Sequence, residues 1–123
     1  MSTYLSRREF LIQRVEELRQ LRDGWYGQGS IAPTKDVLLA LDQIIPEIIS
    51  SNNKIVIAPY GDGSIFLEWD CPSSFNNVFI EPDQKMYMNV DPRSEDSSEE
   101  MEYEGNLDLY LLRQFIEANS WEA

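Results

Sequence analysis

Twenty-two carboxylates and no histidine set the chemistry open to this chain of 123 residues. Without an imidazole, the Ser-His-Asp and Cys-His nucleophile systems are excluded, together with the commonest neutral-pH general base and most zinc and haem sites. The single cysteine, Cys71, stands between Asp70 and Pro72. A neighbouring carboxylate raises a thiol pKa, so the sequence predicts a structural residue and not a thiolate nucleophile. Alternation puts Glu68 and Asp70 on one strand face, where Glu81 can join them from the next strand. Grouped carboxylates serve acid–base chemistry or hold a hard cation, but the spacing is not that of a calcium loop. A solvated sheet face is the simpler account. Gly24, Gly27 and Gly29 superficially match a phosphate loop, yet they follow a helical pattern and no Lys-Ser/Thr pair comes after them. The expectation is a protein with no catalytic residue, no metal and no cofactor, and not an enzyme.

The carboxylates are distributed unevenly. Residues 1–53 carry six basic and seven acidic side chains, net -1, whereas residues 54–123 carry four basic and fifteen acidic, net -11. The densest run holds Asp91, Glu95, Asp96, Glu99, Glu100, Glu102 and Glu104, with Arg93 the one basic residue among them. An acidic chain repels phosphate backbones and anionic lipid, which disfavours direct nucleic-acid and membrane binding. It favours a basic protein surface, because complementary charge speeds encounter and rejects wrong partners. Closely spaced carboxylates on a scaffold can imitate a phosphate backbone or cover the basic surface of a nuclease or toxin; the alternative is a solubilising loop. Composition reads Asp91–Glu104 as loop or disorder. Met101 and Tyr103 alternate with Glu100, Glu102 and Glu104, which leaves open a short fifth strand at its end.

The elements that must position these residues follow from periodicity. Ser6 to Arg22 has helical spacing, with Leu11, Val15 and Leu18 on one face, capping-box spacing between Ser6 and Glu9, and Gly24 as the stop. Arg7, Arg8, Arg14, Arg19 and Arg22 interleave with acids, Arg19 and Asp23 at i,i+4, which reads as a solvated, salt-bridged face. A glycine-rich turn carries Trp25 and Tyr26, read as lids over the core. Pro33 and Thr34 open a second helix whose stripe from Val37 to Ile49 makes it the most buried, with Pro46 expected to kink or loosen its last turn. From residue 54 the period becomes two: strands over Lys54–Tyr60, Ile65–Asp70, Asn77–Glu81 and Lys85–Val90, turning at Gly61-Asp62-Gly63-Ser64 and Pro82-Asp83. Asn106 is expected to cap a final helix bearing Leu109, Leu112, Phe115 and Ile116 and ending near Trp121.

Two stretches, Gly24-Trp25-Tyr26-Gly27-Gln28-Gly29 before Pro33 and Asp62-Gly63-Ser64-Ile65-Phe66-Leu67-Glu68-Trp69 after Ile57-Ala58-Pro59, carry a resemblance to a family. Over roughly residues 18–90 the chain resembles an uncharacterised family of small prokaryotic and phage proteins with a Gly-Trp-x-Gly-x-Gly segment and an Asp-Gly-x-Ile-x-Leu-Glu-Trp hairpin. The resemblance implies a bacterial or phage origin and assigns no activity or functional residue. The motif itself reads as structural, with Trp25 and Trp69 meeting where helices cross the sheet.

The expected fold is one α+β domain spanning 1–123: two N-terminal helices, an antiparallel four- to five-stranded meander and a C-terminal helix. One unpaired cysteine and an N-terminus with no apolar run point to the cytoplasm. The leading functional expectation is a non-enzymatic inhibitor of antitoxin, immunity or anti-defence type (a nucleic-acid mimic among them), which binds a basic partner through Asp91 to Glu104. Trp25, Tyr26, Glu68, Asp70 and Glu81 are secondary contacts. The alternatives are a homodimeric assembly module and a metal-dependent enzyme built on Glu68, Asp70 and Glu81.

Overall fold

The computed structural model describes residues 6–51, 53–92 and 101–119, the side chain of Met101 excepted. Helix α1 (Arg7–Arg19) starts where Ser6 Oγ accepts the Glu9 N–H at 3.1 Å. It buries Leu11, Val15 and Leu18. It ends three residues before the expected Arg22, with Gln20 as the C-cap. Helix α2 (Lys35–Ser50) buries Val37, Ala40, Leu41, Ile44 and Ile48 and passes through Pro46 on its exposed side, closing on a Ser51 N–H to Ile48 carbonyl bond.

Strands β1 (Val56–Pro59), β2 (Ile65–Cys71), β3 (Ser74–Glu81), β4 (Lys85–Pro92) and β5 (Met101–Asn106) form one antiparallel sheet in sequence order, and α3 (Leu109–Ala118) follows. This is the expected α+β architecture with the fifth strand present. The period-two burial along β2, β3 and β4 divides the sheet cleanly. Ile65, Leu67, Trp69, Val78, Ile80, Met86 and Met88 face the helices and form the core with the buried residues of α1, α2 and α3. The opposite face carries no helix among the described residues.

Asp91–Glu104 is corrected from loop to sheet at both ends. Asp91 lies in β4 and pairs with Phe75, while Glu102 and Glu104 lie in β5 opposite Asn89 and Tyr87. Composition missed this because the acids occupy the solvent side of strands whose other side is apolar. The expected Asn106 cap is also corrected: Asn106 still belongs to β5, and Asp108 caps α3 by accepting the Leu111 N–H at 3.0 Å. The expected end of that helix at Trp121 lies outside the described residues. Among those described, no helix is long and apolar enough to cross a membrane.

Three of the four arginines of α1, Arg7, Arg14 and Arg19, bind the layers together more than they decorate a surface. Arg7 donates to the carbonyls of Ile48, Ser51 and Asn53, placing a cation at and just beyond the C-terminal end of α2, where it complements the helix dipole. Arg14 Nε donates to Ile57 O at 2.9 Å, closing part of the free edge of β1. Arg19 pairs with Asp42 of α2 and with Glu16. The expected Arg19–Asp23 pair does not form: the helix has ended, and Asp23 Oδ1 instead accepts the Ala32 N–H at 3.0 Å.

Candidate functional site

On the helix-free side of the sheet, register brings together side chains that lie far apart in sequence. One row runs Phe66, Phe79, Tyr87, Glu104; a second runs Glu68, Asn77, Asn89, Glu102; a third runs Asp70, Phe75, Asp91. Phe66 and Phe79 have ring centroids 5.7 Å apart, and Phe79 and Tyr87 are 6.2 Å apart. Tyr60, just past β1, meets Phe66 and Phe79 edge-on at 6.4 and 5.7 Å. These are ordinary aromatic packing distances, yet no second layer covers them among the described residues. Tyr87 donates its hydroxyl to Glu102 Oε1 at 2.8 Å, and this bond to a carboxylate holds the phenol above its usual pKa.

Carboxylates surround the aromatic row. Glu68, Asp70, Glu81, Asp91, Glu102 and Glu104 all belong to this face, and Lys85, opposite Glu81 and bonded to Asn106 Oδ1 at 2.8 Å, is its one described basic side chain. Three of the seven expected contact residues of the acidic run therefore lie on one surface with all three expected sheet acids. Glu95, Asp96, Glu99 and Glu100 lie outside the described residues. Glu68, Asp70 and Glu81 share the face without converging: Glu68 sits opposite Asn77, four residues from Glu81, a separation of about 13 Å along an extended strand. No group of three or more His, Cys, Asp or Glu side chains among the described residues is arranged to hold a metal ion.

Trp25 and Tyr26 are placed elsewhere than expected. Tyr26 is 80% exposed and closes nothing; Trp25 is half-buried with its indole N–H on Ile31 O at 3.2 Å. Trp25 does not meet Trp69, which packs against Phe115 of α3 and donates to Asn119 O at 2.7 Å. The glycine-rich loop instead docks on the β1–β2 turn. Ile31 N–H bonds Gly61 O at 2.8 Å and Thr34 N–H bonds Gly63 O at 3.1 Å. Gly63 has φ of 92°, and a Cβ there would meet Thr34 Cγ2 at 3.1 Å, so both conformation and contact call for glycine.

This docking leaves an open cavity of about 780 Å³ between the end of α1, the loop and the turn. Its lining includes Leu18, Leu21 and Pro59, with the rings of Trp25, Tyr26 and Tyr60. Tyr60, 53% exposed, belongs both to the cavity and to the aromatic row. Alternation along β2 puts Phe66 on the open sheet face, as expected, whereas the Tyr60–Phe66–Phe79–Tyr87 row and the cavity do not follow from the spacing of any one strand. The two-residue turn Pro72-Ser73 sets Cys71 opposite Ser74 and hence Phe66 opposite Phe79, so locating that turn was the signal available. Comparison with family models, curated proteins and solved structures returned no match.

Proposed function

We propose that this is a non-enzymatic binding protein that neutralises a basic protein partner, the acidic sheet face being its contact surface. The reading is of antitoxin, immunity or anti-defence type, with the carboxylates taking the place of a phosphate backbone, in a reducing cytoplasm. The observation that carries it is the row Tyr60–Phe66–Phe79–Tyr87, bare of a second layer among the described residues, within six described carboxylates and one described lysine. Arginine suits such a surface, because its planar guanidinium stacks on rings while pairing with carboxylates. Aromatic anchors within a polar rim are also the usual source of interface energy.

Self-association through the same face is the weaker reading. A two-fold contact sets like patches against each other, and carboxylates then oppose carboxylates with Lys85 alone among the described basic residues of the face to offset them.

Affinity capture with the wild-type chain, followed by calorimetry on the purified partner, tests the proposal. Reversing Glu68, Glu102 and Glu104 to Lys should abolish binding, and wild-type affinity should fall steeply with salt. Equal affinity at low and high salt, or retention by the triple variant, rejects it.

A further inference from the structure

The cavity beside the sheet has its own chemistry. Three rings stand around the aliphatic Leu18, Leu21 and Pro59, and Glu17, Asp62 and Arg14 are the charged residues of the lining. The guanidinium of Arg14 is already engaged, by Ile57 O through Nε and by Glu17 at 3.7 Å, and Asp62 Oδ1 accepts the Ser64 N–H at 3.0 Å and the Ser64 hydroxyl, which fixes the carboxylate in place without neutralising it. The lining therefore has one more carboxylate than cation. A cavity of this size accepts more than one side chain, and its polar groups favour a cation over an anion.

Tyr26 is displayed by a stiff loop. Gly24 N–H bonds Ser30 O at 2.9 Å, Tyr26 N–H bonds Ser30 Oγ at 3.1 Å, and Ser30 Oγ donates to Gly27 O at 2.7 Å. Trp25 lies 5.3 Å from the Tyr26 ring, tilted by 45°. Exposed aromatics held in place before binding lose little freedom on contact, the property expected of an anchor site.

We propose that this cavity receives an arginine-bearing peptide segment of the basic partner, its guanidinium stacked among Trp25, Tyr26 and Tyr60 and paired with Glu17 or Asp62. The inference rests on the proposed function and adds a defined pocket to it, reached from the sheet face through Tyr60.

The test uses the whole ¹⁵N-labelled chain titrated with a capped tetra-arginine peptide and with its tetra-citrulline counterpart, which keeps the shape and removes the charge. Saturable shifts are expected at the Trp25 indole N–H and at the Tyr26 and Gly61 amides, with the citrulline peptide bound about tenfold more weakly. Tyr26→Ala, at an exposed position, should weaken tetra-arginine about tenfold, and Tyr26→Phe should restore it. Equal binding of the two peptides overturns the proposal. Shifts confined to Tyr87, Glu102 and Glu104 also overturn it while leaving the sheet-face reading intact, and a chain with no shift at either place overturns it outright.

Discussion

At the level of single residues, Cys71 shows how far a side chain's neighbours in sequence and in space can disagree. Asp70 precedes it, but successive strand residues point to opposite faces, so the carboxylate is in solvent and the thiol, 2% exposed, is in the core. What surrounds the sulfur is Ser74 Oγ at 3.2 Å, Asn76 Nδ2 at 3.6 Å and Ser73 Oγ at 3.7 Å. Burial pushes the thiol up, and hydrogen bonding by Ser74, Ser73 and Asn76 more than offsets it, bringing the value from 9.0 down to about 7. The expectation of a thiol held high by Asp70 is therefore corrected. Because the folded value lies below the unfolded one, the contribution to stability is full above about pH 9 and is lost as pH falls through about 7. Urea unfolding of wild type against Cys71→Ser should show the wild type gaining on the order of 2 kcal/mol across that window. Parallel pH profiles for the two proteins would refute the assignment. Burial should keep alkylation by iodoacetamide slow even where the thiolate is populated.

Among the elements, the β3–β4 connection is the most conspicuous departure from local preference. Pro82-Asp83-Gln84 places two consecutive non-glycine residues in the left-handed region, Asp83 at φ 66° and Gln84 at φ 59°. Two contacts hold them there. The Asp83 N–H bonds Asp36 Oδ2 at 2.8 Å, and Gln84 O accepts the Leu107 N–H at 2.7 Å. Asp36 also accepts the Thr34 hydroxyl at 2.5 Å, which is the main reason its carboxyl titrates below the ordinary range. The turn is thus tied to the start of α2 and to the segment before α3. Gln84→Gly keeps the carbonyl bond and removes the left-handed penalty, so it should raise stability by about 0.5–1 kcal/mol after the added freedom of the unfolded chain is counted. Gln84→Val should lower it, since a β-branched residue resists that conformation. The denaturant midpoints order the three proteins, and a valine variant at or above the glycine variant would show that φ 59° carries no cost.

Across the whole molecule, charge is divided by layer. Arg7, Arg14 and Arg19 of α1 lie among the helices and at the edge of β1, whereas among the described residues six carboxylates share the open sheet face with one lysine. On that face Glu68 and Asp70, and likewise Glu102 and Glu104, stand two residues apart along one strand, about 7 Å, inside the Debye length of about 10 Å at roughly 0.1 M salt. The free protein therefore carries self-repulsion that a basic partner, or salt, relieves. Its melting midpoint should rise with sodium chloride, by the equivalent of about 1 kcal/mol between low and physiological ionic strength. A Glu102→Lys/Glu104→Lys variant should show a smaller rise. Calorimetric scans check both, and a midpoint that falls with salt would mean that the cross-layer ion pairs outweigh the repulsion.

The apolar pattern by itself determined the class of fold. Spacing of three and four gave the helices, spacing of two gave the strands, and Ile65, Leu67 and Trp69 fell on the buried face as expected because alternation is local geometry. The overall acidity, its concentration after residue 53 and the absence of histidine chemistry were equally legible. The site was not, because a surface is a statement about neighbours. Turn length and strand register decided that Phe66, Phe79 and Tyr87 form one row, and that Asp91, Glu102 and Glu104 share its face with Glu68, Asp70 and Glu81. Backbone bonds between the glycine-rich loop and the β1–β2 turn decided that Trp25 and Tyr26 line a cavity and do not close a core. Helix and strand periods constrain each residue relative to its own chain; which chains lie side by side is set by burying the opposite face, and only the folded sheet fixes it.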